Sequence, residues 1–267
     1  MAESQDDDAL KAADAKDLHR TVRKEGEEEL RRPAMSLFWS GLAAGVAITA
    51  SLITEAALHA GLPDAPWREL VTGLGYPVGF LIVILGRMQL FTESTITAML
   101  PLVTRPSWST GGRTLRLWLL VLLANVVGTA VATLALARLP MIDPSLLDGM
   151  AAVSAAILKH DAIATFWTAI PAGFLIAGLA WMLPNAREQS FLVIFAVTYV
   201  VGVAGFSHSV VGSAEAFTLL WAGRIDVAHA LAGSIAPAVL GNLVGGAGLF
   251  ALLAHGQVSG EKRGEGA

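Results

Sequence analysis

The sequence predicts an all-α integral membrane protein whose six transmembrane helices form two inverted three-helix repeats, with the second and fifth helices broken. Three observations support this fold class. Hydrophobic residues make up 54% of the 267 residues and charged residues only 15%, a balance typical of polytopic membrane proteins. Two apolar segments are longer than one crossing requires, and polar residues interrupt each of them. An Asn-x-x-Gly motif occurs once in each half of the chain.

The chain begins with a polar arm of mixed charge over residues 1–33, which we expect on the cytoplasmic side. Residues 11–29 suit a surface helix, and the composition leaves disorder open as the alternative. Because no apolar segment precedes Ala34, no secretory signal peptide is expected. A transmembrane domain is predicted over residues 34–255 and a cytoplasmic tail over residues 256–267.

The predicted spans have a high apolar content and lengths near or above the roughly 20 residues that cross a bilayer. They cover residues 35–60, 70–101, 115–139, 162–183, 191–221 and 227–254. Polar residues interrupt the second span at 89–95 and the fifth at 207–213. Irregular backbone is tolerated in a membrane where it is buried in protein or lines a water-filled path. We therefore predict two discontinuous helices that border a pore.

The distribution of basic residues predicts the orientation. Most Lys and Arg residues lie in the N-terminal arm, in the loops after the second and fourth spans, and in the C-terminal tail. Under the positive-inside rule these segments are cytoplasmic, and so are both termini. We expect a multi-pass protein of the bacterial inner (plasma) membrane.

An internal repeat relates the two halves of the chain. Asn125 and Gly128 in the third span correspond to Asn242 and Gly245 in the sixth, at a spacing of 117 residues. The same spacing relates His208 in the second break to Phe91 in the first. A repeat of three spans is inverted relative to its twin, and inverted repeats with broken helices place the substrate path at their interface.

The residues around both breaks resemble the formate/nitrite transporter family. Leu90-Phe91-Thr92 matches the loop motif of that family's broken second helix, and Phe206-x-His208-Ser209 matches the motif that carries its central pore histidine. Asn125 and Asn242 stand in its Asn-x-x-Gly helices, and the resemblance covers residues 35–254. It implies an aquaporin-like protomer fold, a homopentamer, and one pore per protomer for small monovalent anions such as formate, nitrite or hydrosulfide.

Four positions depart from the pattern of that family. Family members usually have a small residue at the position of Arg87, an acidic residue at Gln89, an asparagine at Gly173 and a pore phenylalanine at Val201. The departures indicate a divergent branch, and they bear on the transported anion more than on the fold.

His208 is the central candidate site residue. One interpretation is a buried, neutral histidine that bridges helices; the other is a pore residue, because an ionisable group at a helix break is a candidate functional site. N-termini of half-helices supply partial positive charge and free N–H groups to an anion, and imidazole can carry a proton. With the resemblance, we predict that His208 donates a proton and hydrogen bonds to the anion, with Thr92 as its hydroxyl partner.

Apolar residues near the breaks are candidate constrictions of the path, although lipid contact or core packing is the alternative. The resemblance implies that Tyr76 and Phe80 face the path and that Leu90 narrows its inner side. Phe91 and Val201 are placed in the path on the same grounds, and residues 90–94 form a mobile gate loop.

Four polar residues are expected to support the pore. Asn125 and Asn242 are predicted to hold the loose backbone of the broken helices by hydrogen bonds. Arg87 within a span is costly unless it is paired or used, and Glu93 is predicted to pair with it and to fix the gate loop. A residue of a neighbouring subunit, or snorkelling towards the inner headgroups, are the alternatives.

The predicted function is a membrane channel or transporter for small monovalent anions of weak acids, with proton linkage through His208. Two alternatives stay open, namely an aquaporin-like channel for neutral solutes and a sealed-pore scaffold or sensor. No cofactor, metal or nucleic acid is expected, since the sequence has no cysteine, no nucleotide-binding glycine loop and no metal-ligand cluster. Ser209, His208 and Glu215 lack an evident oxyanion site, so no enzyme is predicted.

Overall fold

A computed structural model describes residues 14–264 of the chain as a bundle of helices. In chain order the helices are α1 (Ala15–Glu29), α2 (Ala34–Gly61), α3 (Arg68–Leu85), α4 (Ser94–Thr104), α5 (Trp108–Arg138), α6 (Pro144–Ser154), α7 (Ala162–Met182), α8 (Ser190–Val203), α9 (Ser209–Trp221) and α10 (His229–Gly260). A short 3₁₀ turn lies within α3, and the π-helical segments His229–Ile235 and Val244–Phe250 lie within α10.

The prediction of six spans with a broken second and fifth helix is confirmed. Helices α2, α5, α7 and α10 are each long and apolar enough to cross a membrane, and so is α3. The second span consists of α3 and the shorter α4, and the fifth consists of α8 and α9. Large apolar side chains such as Leu119, Leu123, Trp167 and Leu253 are exposed on the outside of the bundle, as expected for surfaces that meet lipid or other subunits.

Three features differ from the sequence-based expectation. The break in the second span covers residues 86–93 rather than 89–95. The break in the fifth span covers residues 204–208 rather than 207–213, because Ser209 already begins α9 and His208 caps that helix. Between the third and fourth spans, α6 was not predicted. It begins with Pro144 at its first position, where the missing N–H is not needed.

Part of the N-terminal arm is a packed helix. Within α1 the side chain of Val22 is fully buried in a cluster with Ile96 and Leu100 of α4. His19 of α1 lies 3.2 Å from His255 of α10, from Nε2 to Nδ1. Residues 1–13 and 265–267, which belong to the predicted arm and tail, lie outside the described residues. The division at residues 33 and 255 stays a prediction.

Candidate functional site: the contact between two helix breaks

The half-helices α3 and α8 end in the same way. The Met88 N–H donates to Val83 O over 3.0 Å, and the Phe206 N–H donates to Val201 O over 3.1 Å. Before each donor stands a residue with left-handed backbone, Arg87 with φ 55° and Gly205 with φ 66°. This six-residue closure is a Schellman motif, whose left-handed position favours glycine. The two breaks are therefore copies of one backbone motif, and Arg87 occupies the position at which its twin has glycine.

Two asparagines hold the breaks in place. Asn125 Nδ2 donates to Gly41 O over 2.8 Å and to Gln89 O over 2.9 Å, while Asn125 Oδ1 accepts the Phe91 N–H over 2.9 Å. Both asparagines are fully buried. Each thereby connects three backbone groups that the interrupted helix leaves without helical partners.

Asn242 makes the equivalent contacts in the second repeat. Its Nδ2 donates to Ala169 O over 2.8 Å and to Ser207 O over 3.0 Å, and its Oδ1 accepts the Ser209 N–H over 2.8 Å. A Cβ atom at Gly173 would lie 2.3 Å from Asn242 O, so α7 packs directly on this part of α10. The asparagine that the family usually has at that position does not fit this approach.

The contacts of the two asparagines show which residue of the first break corresponds to His208 in the second. Asn125 holds residues 89 and 91, and Asn242 holds residues 207 and 209. The residue between the two contacts is Leu90 in one repeat and His208 in the other. The Asn-x-x-Gly spacing pointed to Phe91 instead, because the breaks are offset by one residue relative to the asparagines.

His208 and Thr92 bring the two breaks together. The atoms Thr92 Oγ1 and His208 Nε2 are 2.8 Å apart, and both side chains are buried. Phe80 meets the imidazole edge-on, with 5.0 Å between ring centroids. His208 Nδ1 accepts the Val211 N–H over 3.2 Å and so caps α9. Since Nδ1 acts as an acceptor, the proton of the neutral ring is assigned to Nε2, which donates to Thr92.

The apolar pore candidates pack around this contact. Tyr76, Phe80, Leu90, Phe91 and Val201 all belong to one buried cluster. Among these five, Tyr76 also lines a cavity that reaches His208 from the side of the bundle opposite α1. We refer to it as the outer cavity, after the predicted orientation. Its volume is about 470 Å³, and the buried His208 is one of its lining residues.

The expected ion pair between Arg87 and Glu93 is absent. Within residues 14–264 neither side chain forms an ion pair, and the Arg87 side chain is exposed. The prediction fails because Arg87 is the left-handed residue that ends α3, which turns its side chain out of the bundle. The gate loop is held through Gln89 and Phe91 instead.

Glu29 makes contacts with the gate loop and α4 that were not predicted from the sequence. Its Oε1 accepts Gln89 Nε2 over 2.9 Å, and its Oε2 accepts Thr97 Oγ1 over 2.6 Å. Ser94 Oγ donates to Gln89 Oε1 over 3.3 Å. Helix α1 is thus tied to the start of the gate loop, and the amide at Gln89 provides the donor that an acidic residue would lack. Burial raises the pKa of the Glu29 carboxyl, although these hydrogen bonds oppose the shift.

Gln89→Glu is expected to weaken the attachment of α1 by about 1.5–3 kcal/mol, the range for a hydrogen bond to a charged group. Two carboxylates would then face each other. The loss should be largest at neutral pH and should shrink as the pH falls through the raised pKa of Glu29, because a protonated carboxyl again donates. Hydrogen exchange of α1 in detergent measures the effect. The double variant Gln89→Glu/Glu29→Gln exchanges donor and acceptor and should restore protection; unchanged exchange in the single variant would contradict the role of Gln89.

Two helix N-termini meet at the His208–Thr92 contact. His208 is the N-cap of α9, and Thr92 lies two residues before the first residue of α4. Partial positive charge from both half-helices is therefore directed at one buried point. The contact offers imidazole and hydroxyl hydrogen-bond donors at the same point, and such an arrangement favours a small anion over a cation.

Comparisons with known proteins identify the family of the chain. A family model described as formate/nitrite transporter matches residues 16–256. The Escherichia coli (strain K12) inner membrane protein YfdC is 37% identical over 241 residues, which cover 90% of this chain and 78% of that protein. The formate channel FocA of Haemophilus influenzae is 26% identical over 252 residues, covering 81% of this chain and 84% of FocA.

Solved structures share the fold. A pentameric formate channel with formate bound superimposes with a TM-score of 0.69 at 19% identity, covering 85% of this chain and 97% of that one. An FNT family ion channel reaches a TM-score of 0.75 at 22% identity, covering 89% and 97% of the two chains. The family model spans nearly the whole bundle, including both breaks and both asparagine braces. The chain belongs to the formate/nitrite transporter family and is a multi-pass membrane protein with the fold of a channel or transporter.

Proposed function

We propose that each protomer passes a small monovalent anion of a weak acid, accompanied by a proton, between His208 and Thr92. The observation that carries the proposal is the 2.8 Å contact of these side chains at the buried end of the outer cavity. An anion that leaves water loses favourable hydration, and charge-assisted hydrogen bonds with helix N-termini offset part of that loss. Formate, which FocA carries in its name, has the required size and charge.

His208 Nε2–H and the Thr92 hydroxyl can both donate hydrogen bonds to an anion that passes between them. In the resting contact, His208 Nε2–H donates to Thr92 Oγ1, which keeps its own hydroxyl proton. An anion that enters between them accepts from both groups, so the constriction replaces two hydrogen bonds of water without a change of charge on the protein. His208 then acts as a hydrogen-bond donor, and its Nδ1 stays committed to α9.

We further propose a homopentamer in the inner membrane with both termini in the cytoplasm. A solved neighbour is a pentamer, and YfdC is named an inner membrane protein. Arg31, Arg105 and Arg113 gather on the side of the bundle that carries α1, in agreement with the positive-inside rule.

The substrate class is tested in proteoliposomes that contain the purified protein. We expect saturable uptake of formate or nitrite, compared with acetate, lactate and hydrosulfide, and we expect no uptake of glycerol. Protein-free vesicles give the background of neutral-acid diffusion. Uptake of glycerol without the anions would favour a neutral-solute channel, and a lack of any uptake would favour a sealed-pore scaffold.

A further inference from the structure

The hydrogen bonds of His208 determine whether its ring can supply the transported proton. Both ring nitrogens of His208 are occupied, Nδ1 by the Val211 N–H and Nε2 by Thr92. A second proton on Nδ1 would face the Val211 N–H and break the N-cap of α9. His208 in this arrangement donates a hydrogen bond but has no free position for an additional proton.

The outer cavity carries carboxyl groups above this constriction. Glu55, Glu69 and Glu215 line it, together with one lysine, Lys159, and His160. A wall with more carboxylates than cations repels an arriving anion if the carboxylates are ionised. The same wall favours entry of an anion if its carboxyl groups are protonated and can donate those protons to the anion.

Glu215 lies on the face of α9 that leads down to His208. Residues 208, 212 and 215 all line the outer cavity, and the helical rise places Glu215 about 10 Å above the imidazole. Gly212, between them, has no side chain, and Glu215 Oε2 lies 3.8 Å from the position that a Cβ at Gly212 would occupy. The carboxyl group therefore borders the space through which a solute approaches His208.

Glu55 faces the same space from α2. Its side chain is 7% exposed, and Oε2 has no hydrogen-bond partner among the residues that the structure describes. The buried Thr72 hydroxyl, which lines the cavity too, also lacks a partner within that part of the chain. Glu55 and Glu215 both line the outer cavity, so the two carboxyl groups border the same space. A buried carboxylate without a partner is costly, and a proton or a hydrogen-bond donor in the cavity relieves that cost.

We propose that Glu215, with Glu55 as its partner across the outer cavity, is the proton donor to the weak-acid anion; this inference rests on the proposed function. The carboxyl O–H bond breaks and an O–H bond forms on the anion. The anion accepts this proton through water in the cavity while His208 Nε2–H and the Thr92 hydroxyl hold it. The neutral acid then leaves the constriction on its inner side, and a hydronium ion at the outer mouth returns a proton to the carboxylate.

Several other charged and titratable groups lie around Glu55 and Glu215. The cavity is shared by Glu69, Tyr76, Lys159, His160 and His208. His59 of α2 and Arg68 of α3 are not among its lining residues. On the helices packed against α2, Arg138 and Asp148 are exposed. Arg68 donates a hydrogen bond to His59 O. Glu69 is exposed at the rim, so it serves as the matched control for the two enclosed glutamates.

The test compares Glu55→Gln/Glu215→Gln with Glu69→Gln in proteoliposomes that contain a pH dye. Wild-type protein should carry one proton with each formate. The double variant should take up formate about 100-fold more slowly at external pH 7, in the usual range for the loss of a proton-transfer group. Its residual uptake should respond to membrane potential, because the anion then crosses without a proton. Glu69→Gln should retain the wild-type rate and proton ratio.

Two results would overturn this assignment and leave the proposed function intact. One is wild-type uptake and proton ratio in the double variant. The other is faster uptake in that variant, which would show the carboxylates to be a barrier. Thermal unfolding in detergent verifies that the variants are folded, and if the double variant is not folded the single variants are measured in the same way. An absence of formate and nitrite uptake by the wild-type protein would instead refute the proposed function.

Discussion

His208→Asn is expected to leave the protein folded while slowing formate uptake by about 10- to 150-fold. Asparagine is a favourable N-cap, so its side-chain oxygen can replace His208 Nδ1 as the acceptor of the Val211 N–H. It does not reach Thr92 in the other break, and the donor at the constriction is lost. The expected change follows from about 1.5–3 kcal/mol for a hydrogen bond to a charged group.

A second substitution distinguishes the role of His208 as the N-cap of α9 from its role as the hydrogen-bond donor in the pore. His208→Phe removes both roles, so it should lower the melting temperature as well as the uptake rate, with the loss of a cap costing about 1 kcal/mol. The residual uptake of His208→Asn should still carry protons if Glu215 supplies them. Wild-type uptake in folded His208→Asn would show that substrate does not pass this contact.

Asn242→Ala is expected to have the largest effect on stability. The substitution leaves Ala169 O, Ser207 O and the Ser209 N–H buried without their partner. Each unsatisfied group costs about 1–3 kcal/mol, so a loss of roughly 3 kcal/mol or more is expected. Asn125→Ala should match it, because Asn125 makes the same three kinds of contact.

Size-exclusion chromatography and thermal unfolding in detergent measure that loss. Gln257→Ala is the control, because this amide side chain is exposed and lies away from both breaks. A well-folded Asn242→Ala protein with a wild-type melting temperature would show that the break is held by other contacts.

The sequence predicted the helices and the breaks because these features depend on composition along the chain. Long apolar segments must be helical in lipid, since each backbone group needs a partner. Both breaks were predicted to begin three residues too late, at 89 rather than 86 and at 207 rather than 204. The left-handed residues that close α3 and α8, Arg87 and Gly205, precede the polar residues by which the breaks were located.

Contacts between distant segments were not predictable in this way. The ion pair of Arg87 with Glu93 was inferred from charge and proximity along the chain, whereas the direction of the Arg87 side chain depends on its φ angle. Glu29 was one of many charges in the arm, and its contact with Gln89 joins residues 60 positions apart. Helix α6 is short, and the position of its Val153 in the wall of the outer cavity depends on tertiary packing.

The central claim, that substrate crosses between His208 and Thr92, is tested most directly by a double-mutant cycle on formate uptake. Thr92→Val and His208→Asn each remove one side of the 2.8 Å contact. If both groups act on the same passing anion, the double variant should be little slower than the slower single variant. Losses that multiply independently in folded protein would contradict the account, because they would mean that the two residues do not form one constriction.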